Sequence, residues 1–200
     1  MRLDQILDTA RRMGGTVSAA ELIGSGARWE DLYRLRDDGA LVELSRGIYR
    51  LADAPATAHL DLVAVCRRAP DGMICLSSAA SYWDLTDEMP DSVHLAVARG
   101  RHRPTIAYPP TQVHVFAADT FALGRIQQPV ESGETIAISS RERTVVDLLR
   151  LRSRVGRDLA LTALRRYLQR QDARPGELLT LARQLRIGTV MAETMEPLLA

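Results

Sequence analysis

The chain has 200 residues, 46% of them hydrophobic, and all 26 of its strong bases are arginine. That length allows one large core or two small ones, and no run of about eighteen apolar residues is present to cross a membrane. A net charge of +1 gives no overall pull toward nucleic acid, and the absence of lysine excludes standard P-loop, protein-kinase and Schiff-base chemistry.

Leu3, Ile6, Leu7, Ala10 and Met13 have the spacing of one buried helical face, which predicts a first helix over residues 2–13. Asp4 and Asp8 interrupt that stretch, so it does not read as a secretory signal, and a cytoplasmic location is expected. Gly14-Gly15 breaks the helix. Ser18 with Glu21 three positions on predicts a capping box for a short second helix from Ala19 to Leu22 or Ile23. Gly24-Ser25-Gly26 turns the chain into a third helix. Trp29, Leu32 and Leu35 recur there at three-residue spacing, leaving Arg28, Arg34 and Arg36 for the outer face. Gly39 ends it. Leu41, Val42 and Leu44 predict a strand, Ser45-Arg46-Gly47 a turn, and Ile48, Tyr49 and Leu51 the returning strand, with Arg46 and Arg50 on the hairpin.

This order of elements is that of a winged helix-turn-helix, expected over residues 1–54, and its ordinary use is DNA binding. The third helix would enter a major groove. Ser18 and the N-terminus of the second helix would touch phosphate, and Arg46 or Arg50 would reach the backbone or minor groove. Glu30, Asp31, Asp37 and Asp38 act against this. Residues 1–56 hold eight arginines and nine acids, so one module should bind feebly and with strong salt dependence. Two copies on repeated half-sites would compensate. Trp29 could equally pack against the wing.

Residues 55–200 form the second predicted part. Leu60, Val63, Ala64 and Arg67 start it with helical spacing, and Pro70-Asp71-Gly72 ends that helix. Cys66 and Cys75 lie in or beside apolar runs and are expected as buried free thiols. Ser78 to Leu85 reads as a helix, with Ser77 or Ser78 near its cap. Strands are expected at Val93–Ala98 and Val113–Ala117 by alternation, with His94 and His114 facing away from the valines toward solvent or a partner. Between them Arg99, Arg101 and Arg103 make a basic connection that is either a solvated loop or a contact for phosphate or an acidic protein. Ile136–Ile138 is a further strand. Ser140 with Arg143 and Thr144 would organise the next helix, Arg141 and Arg143 are further candidate contacts for phosphate or an acidic partner, and Asp147 lies in the first turns. Two leucine-patterned helices follow, separated by Pro175-Gly176, and Val190–Leu199 is a last short helix.

No catalytic constellation emerges. His59, His94, His102 and His114 lack the spacing of a zinc site, and there is neither a GxSxG elbow nor a glycine-rich dinucleotide loop. No cofactor, metal or catalytic residue is expected.

Four stretches resemble the AbiEi family of antitoxins. They are Gly26–Leu51, the Leu76-Ser77-Ser78-Ala79-Ala80 run with Leu85, Val93–Arg103, and Ile138–Leu149 with its Arg143-Thr144 and Asp147-Leu148. The resemblance implies an α+β protein: an N-terminal winged helix-turn-helix followed by a mixed α/β antitoxin domain with a helical C-terminal section. It implies an antitoxin that binds repeats in its own promoter, represses its operon, and neutralises a nucleotidyltransferase-like toxin. The recognition positions carried over are Arg28, Trp29, Tyr33 and Arg34 on the helix, with Arg46 and Arg50 on the wing. The alternative is an inhibitor that does not bind DNA and acts on the toxin by direct binding or covalent modification.

Overall fold

In the computed structural model, which describes residues 3–130 and 132–199, the first helix, α1, spans Leu3–Arg12 and buries Ile6 and Ala10. Arg2, expected at its start, lies outside the described residues. A three-residue strand, β1 (Thr16–Ser18), follows and leads straight into α2 (Ala19–Gly24). The α2 cap is reciprocal: the Ser18 hydroxyl accepts from the Glu21 N–H at 3.1 Å, and the Glu21 carboxylate accepts from the Ser18 N–H at 2.7 Å. Helix α3 (Trp29–Asp37) turns Leu32 and Leu35 inward. The chain then makes the hairpin β2 (Leu41–Ser45) and β3 (Ile48–Leu51), whose register slips between Glu43 and Ser45.

β1 adds antiparallel to the free edge of β3, pairing Thr16 with Arg50 and Val17 with Tyr49, so the sheet order is β1-β3-β2. Three helices on a three-stranded antiparallel sheet that ends in a hairpin are a winged helix-turn-helix. Its core is Ile6, Val17, Leu22, Leu32, Leu41 and Tyr49, all almost wholly buried. Each such aliphatic side chain contributes about 1.5–3 kcal/mol relative to an exposed one.

The sequence places the domain boundary at residue 54, whereas the described residues of Met1–Asp71, Pro104–Thr111 and Gln127–Ile136 form one compact unit. Two features account for the difference. Helix α4 (Leu60–Arg68) sends Arg67 to the Glu21 carboxylate at 3.2 Å and to the Met13 carbonyl at 2.6 Å. Glu134, distant in sequence, is drawn into the winged helix and almost fully buried. It accepts from the Thr16 N–H at 3.0 Å and from the Ser132 hydroxyl at 2.9 Å, and it pairs with Arg50 at 2.9 Å. Gly14 makes room for it: a Cβ there would sit 2.6 Å from Glu134 Cγ, and its φ of +92° also favours glycine.

The second unit comprises the described residues of Gly72–Arg103, Gln112–Ile126 and Ala137–Ala200. Its elements, in chain order, begin with β4 (Met73–Ile74), α5 (Leu76–Tyr82), β5 (Val93–Ala98) and β6 (Thr111–Phe116). They continue with β7 (Arg125–Pro129) and β8 (Thr135–Ser139), each only partly in this unit, then α6 (Arg141–Arg150), α7 (Arg152–Val155), α8 (Arg157–Leu168), α9 (Pro175–Gln184) and α10 (Gly188–Leu199). The five strands form a mixed sheet in the order β6-β5-β4-β8-β7, with β4 antiparallel to β5 and parallel to β8. Helix α6 is buried from Arg143 to Leu149 and anchors a core with Leu76, Leu85, Leu164 and Tyr167. The expected mixed α+β fold with a helical C-terminal section is what the chain adopts.

Candidate nucleic-acid interface

The solvent face of α3 is built from its first residue onward. Arg28 is the N-cap residue in extended conformation and exposed, and its backbone N–H donates to the Asp31 carboxylate at 2.9 Å. Asp31 is therefore engaged in closing the helix start, where the helix dipole favours a negative charge. Trp29 and Tyr33 stand one turn apart, 50% and 45% exposed, with stacked rings 6.1 Å between centroids. Trp29 does not pack into the wing core. Arg34 is exposed, and its nearest carboxylate, Asp38, is 3.9 Å away. A solvated pair at that distance is worth at most about 1 kcal/mol, so Arg34 can exchange it for a phosphate. Arg36 differs: it lies 5.2 Å over the Tyr33 ring, 2.9 Å from Asp37 and 3.7 Å from Glu43.

That last contact ties α3 to the wing. Glu43 on β2 also accepts from the Gly47 N–H at 3.1 Å, and the Gly47 carbonyl accepts from the Ala19 N–H at 2.8 Å. The turn between β2 and β3 is thus held to both helices. Arg46, at its tip, is exposed and has no carboxylate partner among the described residues. Tyr49 lies beneath this network; burial pushes its phenol above its ordinary value, and Glu43 adds to the shift.

Two of the expected DNA contacts are placed differently. Arg50 is not on the wing surface. It is 7% exposed, and its guanidinium donates to Thr16 Oγ1 at 2.6 Å, to Glu134 at 2.9 Å and to the Pro55 carbonyl. Its strand position pairs with Thr16 of β1, and burial at 7% exposure keeps the guanidinium out of reach of a phosphate backbone. Ser18 is half-buried, and its hydroxyl proton goes to the Glu21 carboxylate at 2.8 Å. A phosphate oxygen needs a donor, and this one is taken. Sequence reasoning missed Glu134 and Glu43, which set the pose of the wing; neither sits in a local pattern that signals it.

In the second unit Arg99, Arg101 and Arg103 are exposed after β5, and Arg103 donates to the Val113 carbonyl at 3.0 Å. Arg143, by contrast, is fully buried and cannot meet a toxin or a phosphate. It pairs with Asp147 at 2.6 Å, and its Nη1 donates to the carbonyls of Thr120, at 2.9 Å, and Leu123. Gly124 must be glycine there, since a Cβ would lie 2.7 Å from Arg143 Cβ. Arg141 is engaged as well, 2.5 Å from Asp172 and stacked 5.0 Å over Trp83. The arginine-rich start of α6 is a structural clamp.

His94 and His114 face each other across β5 and β6 instead of pointing to solvent. Their rings are 5.0 Å apart and His114 Nε2 is 3.1 Å from His94 Nδ1. Burial, the His94 ring and the charges of Arg103 and Arg154 hold His114 down to about 4. Ser77 and Ser78 lie inside α5, where Ser78 donates to the Ser92 carbonyl at 3.3 Å and accepts from the His94 N–H at 2.9 Å. Cys66 and Cys75 are both buried and not joined in a disulfide, and burial raises the Cys75 thiol well above its ordinary value. Among the described residues no helix is long and apolar enough to cross a membrane, and no three His, Cys, Asp or Glu residues could hold a metal ion.

Comparison with known proteins bears on the two units differently. No curated protein matches the sequence. Among solved structures, the chain is similar to the crystal structure of the RV2827C protein from Mycobacterium tuberculosis, with a TM-score of 0.52 and 16% identity. The match covers 96% of this chain and 80% of that one, a likeness of fold across both units. A family profile described as "Transcriptional regulator, AbiEi antitoxin" matches residues 4–52, the stretch that carries α1, the exposed face of α3 and the wing. Residues 4–52 are therefore similar to the AbiEi antitoxin family of transcriptional regulators, and the profile does not extend beyond them.

Proposed function

We propose that the chain is an antitoxin that represses its own operon through its winged helix and neutralises a nucleotidyltransferase-like toxin through its second unit. The observation that carries the DNA-binding half is the exposed row Arg28, Trp29, Tyr33 and Arg34 on α3, with Arg46 free at the tip of a braced wing. In this reading α3 enters a major groove, Tyr33 and Trp29 cover sugar and base edges, and Arg28, Arg34 and Arg46 meet phosphates. Ser18 and Arg50 act instead on the shape of the module. Glu30, Asp37 and Asp38 weaken each contact, so two copies on repeated half-sites supply the affinity. Arg99, Arg101 and Arg103 remain available for an acidic toxin surface. The reading places the protein in the cytoplasm, without a cofactor.

The experiment is a titration of the DNA upstream of the reading frame with the wild type and with Arg28→Ala, Arg34→Ala and Arg46→Ala. Weaker binding by each variant is expected. Undiminished binding by all three would rule out this docking. The acids of α3 favour a second reading, in which the winged helix is a scaffold and the protein inhibits the toxin by direct binding or modification. Capture of the toxin with no retardation of upstream DNA would favour that one.

A further inference from the structure

We propose that the cavity where α6, α7, α8 and α10 meet, in the second unit, binds the phosphate groups of a small molecule. Its volume is about 660 Å³, within the range of about 300–1,000 Å³ common to small-ligand sites. Arg150, Arg152 and Arg157 line it, with the hydroxyl residues Ser153 and Thr194, and no lining residue is an acid. Leu161 and Val190 give it an apolar wall.

Several arginines of the neighbouring helices are tied to carboxylates, and two of those in the cavity are not. Elsewhere in the second unit Arg141 and Arg170 pair with Asp172, Arg166 with Asp87, and Arg174 with Glu177. Arg152 and Arg157 are exposed, and among the described residues neither has a carboxylate partner. They are five residues apart, and Arg157 opens α8, where the helix dipole is already positive. The first turn of α8 also carries Asp158, which is not among the lining residues.

Two of the three arginines are also held in place. Arg150 Nη2 is 2.8 Å from Asp147 Oδ1, and its guanidinium lies 5.2 Å over the Phe116 ring. Arg152 donates from Nη1 to the Leu149 carbonyl at 3.0 Å. Planar guanidinium forks beside the Ser153 hydroxyl suit a group that presents several oxygens in different directions, whereas the Thr194 hydroxyl already donates to the Val190 carbonyl at 2.6 Å. A phosphate does this better than a single carboxylate, and the apolar wall offers room for an uncharged body attached to it. A recess between helix ends, with an apolar wall, admits a small molecule. None of this depends on DNA binding by the first unit.

The test is calorimetric titration of the full chain with ATP and, separately, with inorganic tripolyphosphate. It is run near physiological ionic strength, where attraction between exposed charges fades beyond about 8 Å. Saturable binding is expected, weakened about tenfold or more by the Arg152→Ala/Arg157→Ala double variant, which loses charge-assisted hydrogen bonds. Both residues are exposed, so an unchanged unfolding midpoint should accompany the loss. Tighter binding of ATP than of tripolyphosphate assigns the apolar wall to the ligand body; equal affinity assigns the site to phosphate alone. Absence of saturable binding by either probe would overturn the proposal, as would wild-type affinity in the double variant. Displacement of bound tripolyphosphate by duplex DNA at equal phosphate concentration would overturn it too.

Discussion

Arg50 shows how a residue with the right charge at the right place in sequence can serve the fold instead of the surface. It lies on the wing strand, where an arginine would meet phosphate, yet it is buried against Glu134, 84 positions away. A buried pair contributes little net stability over an apolar isostere, but breaking it leaves a charge without a partner. Glu134→Ala should therefore destabilise the protein by about 3–5 kcal/mol in urea denaturation, and an added Arg50→Met should recover part of the loss. A Glu134→Ala variant as stable as the wild type would contradict the assignment. The histidine pair makes a pH prediction. His114 titrates at about 4 in the folded protein against an ordinary 6.5, so on acidification the unfolded chain takes up this proton first. Stability from the neutral pair is complete above pH 6.5 and falls as pH drops toward 4. His114→Gln should flatten the unfolding midpoint over that window, and an unchanged acid slope would contradict the prediction.

At the level of elements, the first fifty residues were largely legible because their signals are local. The Ser18–Glu21 box, the Leu32–Leu35 stripe and the Ile48–Tyr49 strand each appear where spacing places them. β1 escaped notice because three residues are too few to display alternation. The exposed ring pair on α3 is also out of reach of pattern reading, since a tryptophan at helical spacing looks the same whether it packs inward or stands in water. Its exposure separates stability from binding. Trp29→Ala should change folding stability by less than about 1 kcal/mol while weakening DNA binding, compared by thermal unfolding and DNA titration on the same samples. A large loss of stability would mean that the ring belongs to the core. The start of α6 is the converse case. Its Ser140 cap was readable, accepting from the Arg143 N–H at 3.2 Å, but the burial of Arg143 depends on carbonyls at Thr120 and Leu123 that no local pattern supplies.

Across the whole molecule, the winged helix is not sealed within its own sequence. Residues 127–136 belong to the same compact unit as residues 1–71, so a fragment ending at residue 54 keeps Arg50 and loses Glu134. Such a fragment should lack a cooperative thermal transition, whereas the full chain has one; cooperative unfolding of the fragment would show that the Glu134 contact is dispensable. The family match stops at residue 52, so it does not include Glu134, which the compact unit holds. In the proposed docking the exposed face of α3 and the wing tip meet the DNA backbone. Affinity for the upstream DNA, followed across a salt series, measures this directly. The slope of log affinity against log salt should become shallower by about 0.9 for each phosphate contact removed by Arg28→Ala, Arg34→Ala or Arg46→Ala. Identical slopes for the wild type and all three variants would contradict it.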